Sequence, residues 1–173
     1  MIRIAALAAF MATPVWADAD PGPIPDMADV ARLRACLSNQ PVETASSCRL
    51  RVFTPCAEAR GPDPDALRLC HLAEADAWDF IRIKDSWPRA VAAAQSRDEV
   101  QGRDESGVTG LDGALRATRP AWLAYRDTYC ALATVSETDA QLGGVAGTAC
   151  WSRITAERVL ELTRLRQNWM GND

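Results

Sequence analysis

The sequence predicts an all-α protein: a small antiparallel helical bundle, stapled by disulfides, with proline-kinked helices. Three observations predict it. Apolar residues recur at steps of three and four over long segments, most clearly Leu111, Leu115, Thr118, Trp122, Tyr125, Tyr129 and Leu132, which fall on one helix face. No stretch alternates apolar and polar residues with the period of a strand. Six cysteines, an even number, follow an N-terminus that reads as an export signal.

The elements follow in chain order. Arg3, the uncharged stretch Ile4 to Ala12, the breaker Pro14 and the small residues Val15 and Ala17 have the order of a signal peptide, over residues 1–17. The stretch is too short to span a bilayer, and cleavage after Ala17 is expected. Residues 18–25 form a Pro-rich leader, and a single helical domain is expected over 26–170. Asp26 is a plausible N-cap for a helix over Met27 to Leu37, with Ala28, Ala31, Leu33 and Cys36 broadly on one side. A second helix is expected over Glu43 to Phe53, stopped by Pro55.

Asp63-Pro64 reads as an N-cap followed by proline at the first helical position. From there Leu67, Cys70, Ala73, Ala77, Ile81 and Lys84 keep helical spacing, with Trp78 and Phe80 broadening the apolar face; Pro88 should kink or end this helix. Ser96 to Gly110 reads as the longest exposed loop. Thr109-Gly110-Leu111-Asp112 has the form of a capping box that opens the next helix, and Pro120 should bend it. Gly143-Gly144 and Gly147 mark a turn. The last helix is expected over Thr148 to Asn168, with Trp151, Ile154, Leu162, Leu165 and Trp169 on its inner side and Gly171 just past its end.

Composition narrows the function. Removing 17 of the 173 residues leaves 156, with 18 basic and 23 acidic side chains and a net charge near −5. Nothing in that balance favours nucleic acid or an anionic membrane. No cysteine follows the cleavage point until Cys36, so neither a lipid-attachment site nor a membrane anchor is expected. Cys36, Cys48, Cys56, Cys70, Cys130 and Cys150 imply three structural disulfides, for which the sequence alone permits 15 pairings. No metal site or cofactor is expected: there is no C-x-x-C, and His71 is the one histidine. Nor is an enzyme. An oxidised Cys70 beside His71 offers no thiolate, and a packed bundle offers no obvious cleft for a carboxylate pair.

One segment is distinctive: Ala121-Trp122-Leu123-Ala124-Tyr125-Arg126-Asp127-Thr128-Tyr129-Cys130, followed by Gly143-Gly144, Cys150, Thr155-Ala156-Glu157-Arg158 and Leu162. It resembles the hallmark of the lysozyme inhibitor LprI-like family, formerly a domain of unknown function: a W-x-x-Y/F-R-D-x-x-C helix, a glycine-rich turn, a second cysteine and a T-x-x-R helix. Upstream, Cys70, Glu74, Trp78 and Asp79 resemble that family's C-x-x-x-E-x-x-x-W-D helix, so the likeness covers about residues 56–165. Two departures stand out. Pro120 replaces a good helix former, and Ile81 to Trp87 lacks the L-N-x-x-Y that commonly follows the W-D.

The resemblance implies a periplasmic, non-enzymatic protein that binds c-type lysozyme stoichiometrically, or another cationic periplasmic protein. The alternative is an adaptor of the same fold without inhibitory activity. Cys130 and Cys150 are expected to pair across the glycine turn. For the remaining four, Cys36–Cys48 with Cys56–Cys70 stands beside Cys36–Cys70 with Cys48–Cys56. Trp122, Tyr125 and Tyr129 are expected in the core. Arg126 should pair with Glu157 or Glu74, and Asp127 with Arg158, because neighbours on a helix point about 100° apart. Asp98, Glu99, Asp104 and Glu105, in the acidic loop, are the candidate partner-binding residues.

Overall fold

The computed structural model describes residues 25–103 and 110–171. The expected signal peptide and cleavage site, and nearly all of the leader, lie outside them, as do Asp104, Glu105 and Thr109. The described residues are helical, with no strand: α1 (Met27–Ser38), a 3-10 turn (Ala45–Cys48), α2 (Phe53–Arg60), α3 (Pro64–Ile81), a π turn (Arg82–Ser86), α4 (Trp87–Val100), α5 (Leu111–Val135) and α6 (Ala140–Met170).

Capping starts these helices where the sequence places acidic residues. Asp26 accepts from the Ala28 N–H at 2.8 Å, and Asp63 from the Asp65 and Ala66 N–H groups, with Pro64 just inside. At the far end Gly171 takes φ 76°, the left-handed conformation that favours glycine. Helix continues from Pro64 to Val100 through the π turn. There the Trp87 N–H bonds to the Arg82 carbonyl, five residues back. The widened turn places Pro88 at a first-turn position of α4, where its missing N–H costs little, so it does not end the helix as expected. Likewise α5 stays helical through Pro120, whose ring is exposed.

α6 is the central element. α3 and α4 run alongside it in the same direction: Ser152 meets Glu74, and Arg89 and Arg166 line one cleft. α5 runs antiparallel, with Cys130 joined to Cys150 at one end and Leu115 packed with Leu162 further along. Three apolar clusters follow α6 in sequence. Ile154 packs with Cys130 and Cys150; Ala156 and Val159 pack with Trp78, Ile81, Val30 and Leu33; Leu162 packs with Ala90, Ala94 and Leu115. Ala77, Ser152, Thr155 and Ala156 are all buried, and small side chains here let α3 and α6 approach closely.

Three disulfides staple the bundle. Cys36–Cys48 fastens α1 to the 3-10 turn, Cys56–Cys70 fastens α2 to α3, and Cys130–Cys150 fastens α5 to α6.

Several elements differ from expectation. The Glu43 to Phe53 helix is replaced by a 3-10 turn and a corner at Leu50, which is left-handed (φ 68°). Pro55 then lies in the first turn of α2 instead of stopping a helix, because the first turn has no use for its N–H. α1 buries Val30 and Leu33, while Ala28 and Ala31 are exposed; Lys84 is exposed as well. Gly143, Gly144 and Gly147 mark no turn. They lie within α6, which starts eight residues earlier than expected under an Asp139 cap. A Cβ on Gly143 would sit 2.5 Å from the Thr134 carbonyl oxygen, so this glycine serves close helix contact. The Ser96 to Gly110 loop is shorter than expected, because α4 continues to Val100.

Candidate functional site

Hallmark residues of α5 and α6 meet Arg82 of the π turn at one point. Arg82 from the π turn, Arg126 from α5 and Arg158 from α6 are 5 %, 9 % and 6 % exposed, and their guanidinium groups lie 5.0, 5.1 and 5.9 Å from the Trp122 ring. Arg126 also stacks on Trp151 at 4.6 Å. Three like charges so close need compensation, and three carboxylates supply it. Asp79 holds Arg82 at 2.7 Å and Arg126 at 3.5 Å, Asp127 holds Arg126 at 2.9 Å, and Glu161 holds Arg158 at 2.7 Å. The Thr118 hydroxyl accepts a further bond from Arg158 at 2.6 Å.

The expected partners are therefore corrected. Arg126 bonds neither Glu157 nor Glu74, and Asp127 does not bond Arg158. Neighbours on a helix can meet when the long arginine side chain curls back over its own turn, as Arg126 and Asp127 do. Glu157 pairs with Arg49 and Arg153 instead. Cation–π contacts of this kind contribute about 0.5–2 kcal/mol each, and a buried ion network fixes helix register more than it adds stability. The carboxylates of the knot are each engaged by an arginine. Among the described residues no cluster of histidine, cysteine and acidic side chains could hold a metal ion.

Glu74 and Trp78 lie deeper, both with no exposed surface. The Glu74 carboxylate accepts from the backbone N–H groups of Leu50, Val52 and Phe53 (2.7, 3.1 and 2.7 Å), from Trp78 Nε1 and from the Ser152 hydroxyl. It is an anion bound at the N-terminus of α2, delivered from α3.

Beside the knot, the expected core residues Tyr125 and Tyr129 are 53 % and 44 % exposed. The physical reason lies in the neighbours of α5. Among the described residues the backbone of that helix lies close only to α6 and α4, and α3 and the π turn reach it through Asp79 and Arg82 alone, so its buried stripe is narrow: Leu115, Arg126 and Cys130. Trp122 is half-buried. Trp151, expected on the inner side of α6, is 38 % exposed. The two tyrosines stack with ring centres 5.5 Å apart, Arg153 lies over Tyr129 at 5.9 Å, and Leu132 is exposed one turn on. The outcome is a firm aromatic edge on α5 and α6, anchored beneath by the Cys130–Cys150 bridge, with Asp127 and Glu157 exposed along it.

The acidic candidates divide. Asp98 is buried and accepts from the Leu111 and Asp112 N–H groups at 2.9 and 3.0 Å. These bonds hold its carboxyl below the usual range, and they replace the expected Thr109 capping box: the cap comes from α4. Asp98 is thus committed to the fold and turned away from any partner. Glu99 is exposed, and Asp104 and Glu105 are outside the described residues.

His71 stacks on Phe53 at 3.8 Å, and its buried Nδ1 has no partner. Desolvation lowers its pKa from 6.5, against an opposing pull from Glu74. The folded state therefore takes up its proton less readily than the unfolded chain. The stability this provides is complete above pH 6.5 and is lost as pH falls from there toward the depressed folded value. Urea midpoints at pH 7.5 and 5.5 should show a drop for the native protein and a smaller drop for His71→Phe; equal drops would remove His71 as the cause.

The fold defines a class: a small, disulfide-bonded helical protein. The family model described as Lysozyme inhibitor LprI matches residues 56–162, and the chain belongs to that family. An uncharacterized protein of Rhizobium meliloti (strain 1021) is 27 % identical over 120 residues, covering 65 % of this chain and 86 % of that protein. No solved structure matches the chain. No described helix is long and apolar enough to cross a membrane.

Proposed function

We propose that the protein is exported to the periplasm and inhibits c-type lysozyme stoichiometrically, as a non-enzymatic binder that contacts it through the α5–α6 aromatic edge. The family match over residues 56–162 carries the reading. Three disulfides fit an oxidising compartment, and residues 1–17 fit export. Exposed tyrosine and tryptophan on rigid helices are the side chains that anchor protein interfaces at small entropic cost. Asp127 and Glu157 beside them, with the exposed Glu99, would steer a strongly basic enzyme.

The test uses oxidised Asp18 to Asp173, titrated into c-type and g-type lysozymes acting on a peptidoglycan suspension. Saturable inhibition of the c-type enzyme near one-to-one is expected. Tyr125→Ala with Tyr129→Ala should weaken it by roughly 30-fold, since two interface anchors are each worth about 1 kcal/mol or more, without moving the melting temperature by more than a few degrees. No inhibition at a large molar excess of folded protein would refute the reading; inhibition indifferent to the tyrosines would move the contact elsewhere.

A further inference from the structure

A groove on the other side of α6 has no role in that reading. Upstream, α1 packs on α3 and the 3-10 turn packs on α6, with Val30, Leu33 and Cys48 in one cluster with Trp78, Ile81 and Val159. α1 ends at Ser38, and its last turn with residues 40–45 forms one wall at the head of a furrow that runs on between α4 and α6. Two clefts lie along it. The first, of about 540 Å³, has Leu37, Val42, Ile81, Val159 and Leu160 among its lining. The second, of about 490 Å³, is lined by Ala92, Ala93, Val100, Trp169 and Met170, of which Val100 and Met170 are exposed. Arg89 and Arg166 line both clefts, which makes them one continuous groove.

Its charge is one-sided in a net acidic protein. Asp85 is the carboxylate of the lining, and it is held by Arg34 at 2.8 Å. Arg89, Arg97 and Arg166 have no carboxylate partner among the described residues. Arg89 and Arg97 stand eight residues apart on α4, about 12 Å along its axis. Cations strung along the walls of an apolar furrow complement an elongated acidic ligand better than one compact headgroup.

We propose that the α4–α6 groove docks an acidic amphipathic helix of a partner protein. Its apolar face would pack on Ala92, Ala93, Val100, Trp169 and Met170, and its carboxylates would pair with Arg89, Arg97 and Arg166. The 14 residues of α4 set the length of the occupant at about 20 Å, or four turns, with anchors at the i, i+3, i+4, i+7 spacing of groove-bound helices.

The test is a display library of 14-residue helices with leucine fixed at that spacing and all flanking positions randomised, selected on the oxidised full mature chain. Winners should be enriched in Asp and Glu. A synthesised winner should bind saturably and lose at least tenfold in affinity for the R89E/R166E chain. Both positions are at the surface, so its melting should match the native protein; R89Q/R166Q serves if charge reversal disturbs folding. Winners without an acidic excess, or equal binding to the substituted chain, would overturn the proposal. So would a native dimer dissolved by R89E/R166E, which makes a second copy the occupant. Binding to anionic vesicles with no peptide selected would make the occupant a lipid surface.

Discussion

Glu74→Ala should be the most damaging single substitution in this protein, lowering stability by about 4 kcal/mol. The carboxylate has no exposed surface, and no cation accompanies it; five donors satisfy it. Three are backbone N–H groups that α2 and its entry cannot satisfy internally: the Thr54 N–H bonds to the Leu50 carbonyl and Pro55 has none, but Leu50, Val52 and Phe53 depend on Glu74. Alanine would leave these donors and Trp78 Nε1 buried without acceptors, at about 1–3 kcal/mol each before relaxation or water entry. It would also remove the bond that offsets the left-handed conformation of Leu50. Glu74→Gln should cost about half as much, because one amide oxygen remains while its NH2 faces a donor. Urea unfolding of the oxidised variants measures both. Since domains of this size are held by only about 5–15 kcal/mol, the alanine variant should unfold at a far lower midpoint. A loss under 1 kcal/mol would mean that water replaces the carboxylate without penalty.

Why Glu74 matters also shows what the sequence could and could not convey. Its place in the C-x-x-x-E-x-x-x-W-D segment was legible, but its three backbone partners were not, because they come from residues more than 20 positions upstream in a corner with no periodic pattern. Local rules succeeded where the interaction is local: Asp26, Asp63 with Pro64, and Gly171 end helices within a few residues of themselves. They failed where a distant neighbour decides. Asp98 looks like loop charge until α5 presents its free N–H groups to it. Gly143 and Gly147 look like a turn until α5 packs against them at Thr134. The tyrosine stripe has ideal core spacing, but periodicity reports which residues share a face, and only the number of neighbouring helices says how wide a face is buried. The exposed aromatic edge was therefore hidden by the very pattern that identified its helix. The cation–π knot needed both kinds of information: the motifs named Trp122, Arg126, Arg158 and Asp79, and packing brought Arg82 to them.

Replacing Cys130 and Cys150 together by alanine should remove about 3 kcal/mol, the loop-closure value for residues 20 apart, and the loss should be local. The bridge is the terminal fastening of the α5–α6 pair: beyond Arg126, Cys130 is the buried residue of α5, and α6 is the helix it meets there. Without the bridge, amide exchange should accelerate over about residues 127–150, while α1, α3 and the Leu115–Leu162 cluster stay protected. That segment holds Tyr129 and borders Tyr125 and Trp151. If the aromatic edge binds lysozyme, inhibition should weaken out of proportion to the lost stability, because the enzyme would have to order the edge as it binds. The Cys36–Cys48 pair supplies the contrast: its removal should cost nearly as much stability, since its loop is only somewhat shorter, yet leave inhibition intact. Equal effects of the two removals on inhibition would show that global stability, and not order at the α5–α6 edge, governs binding.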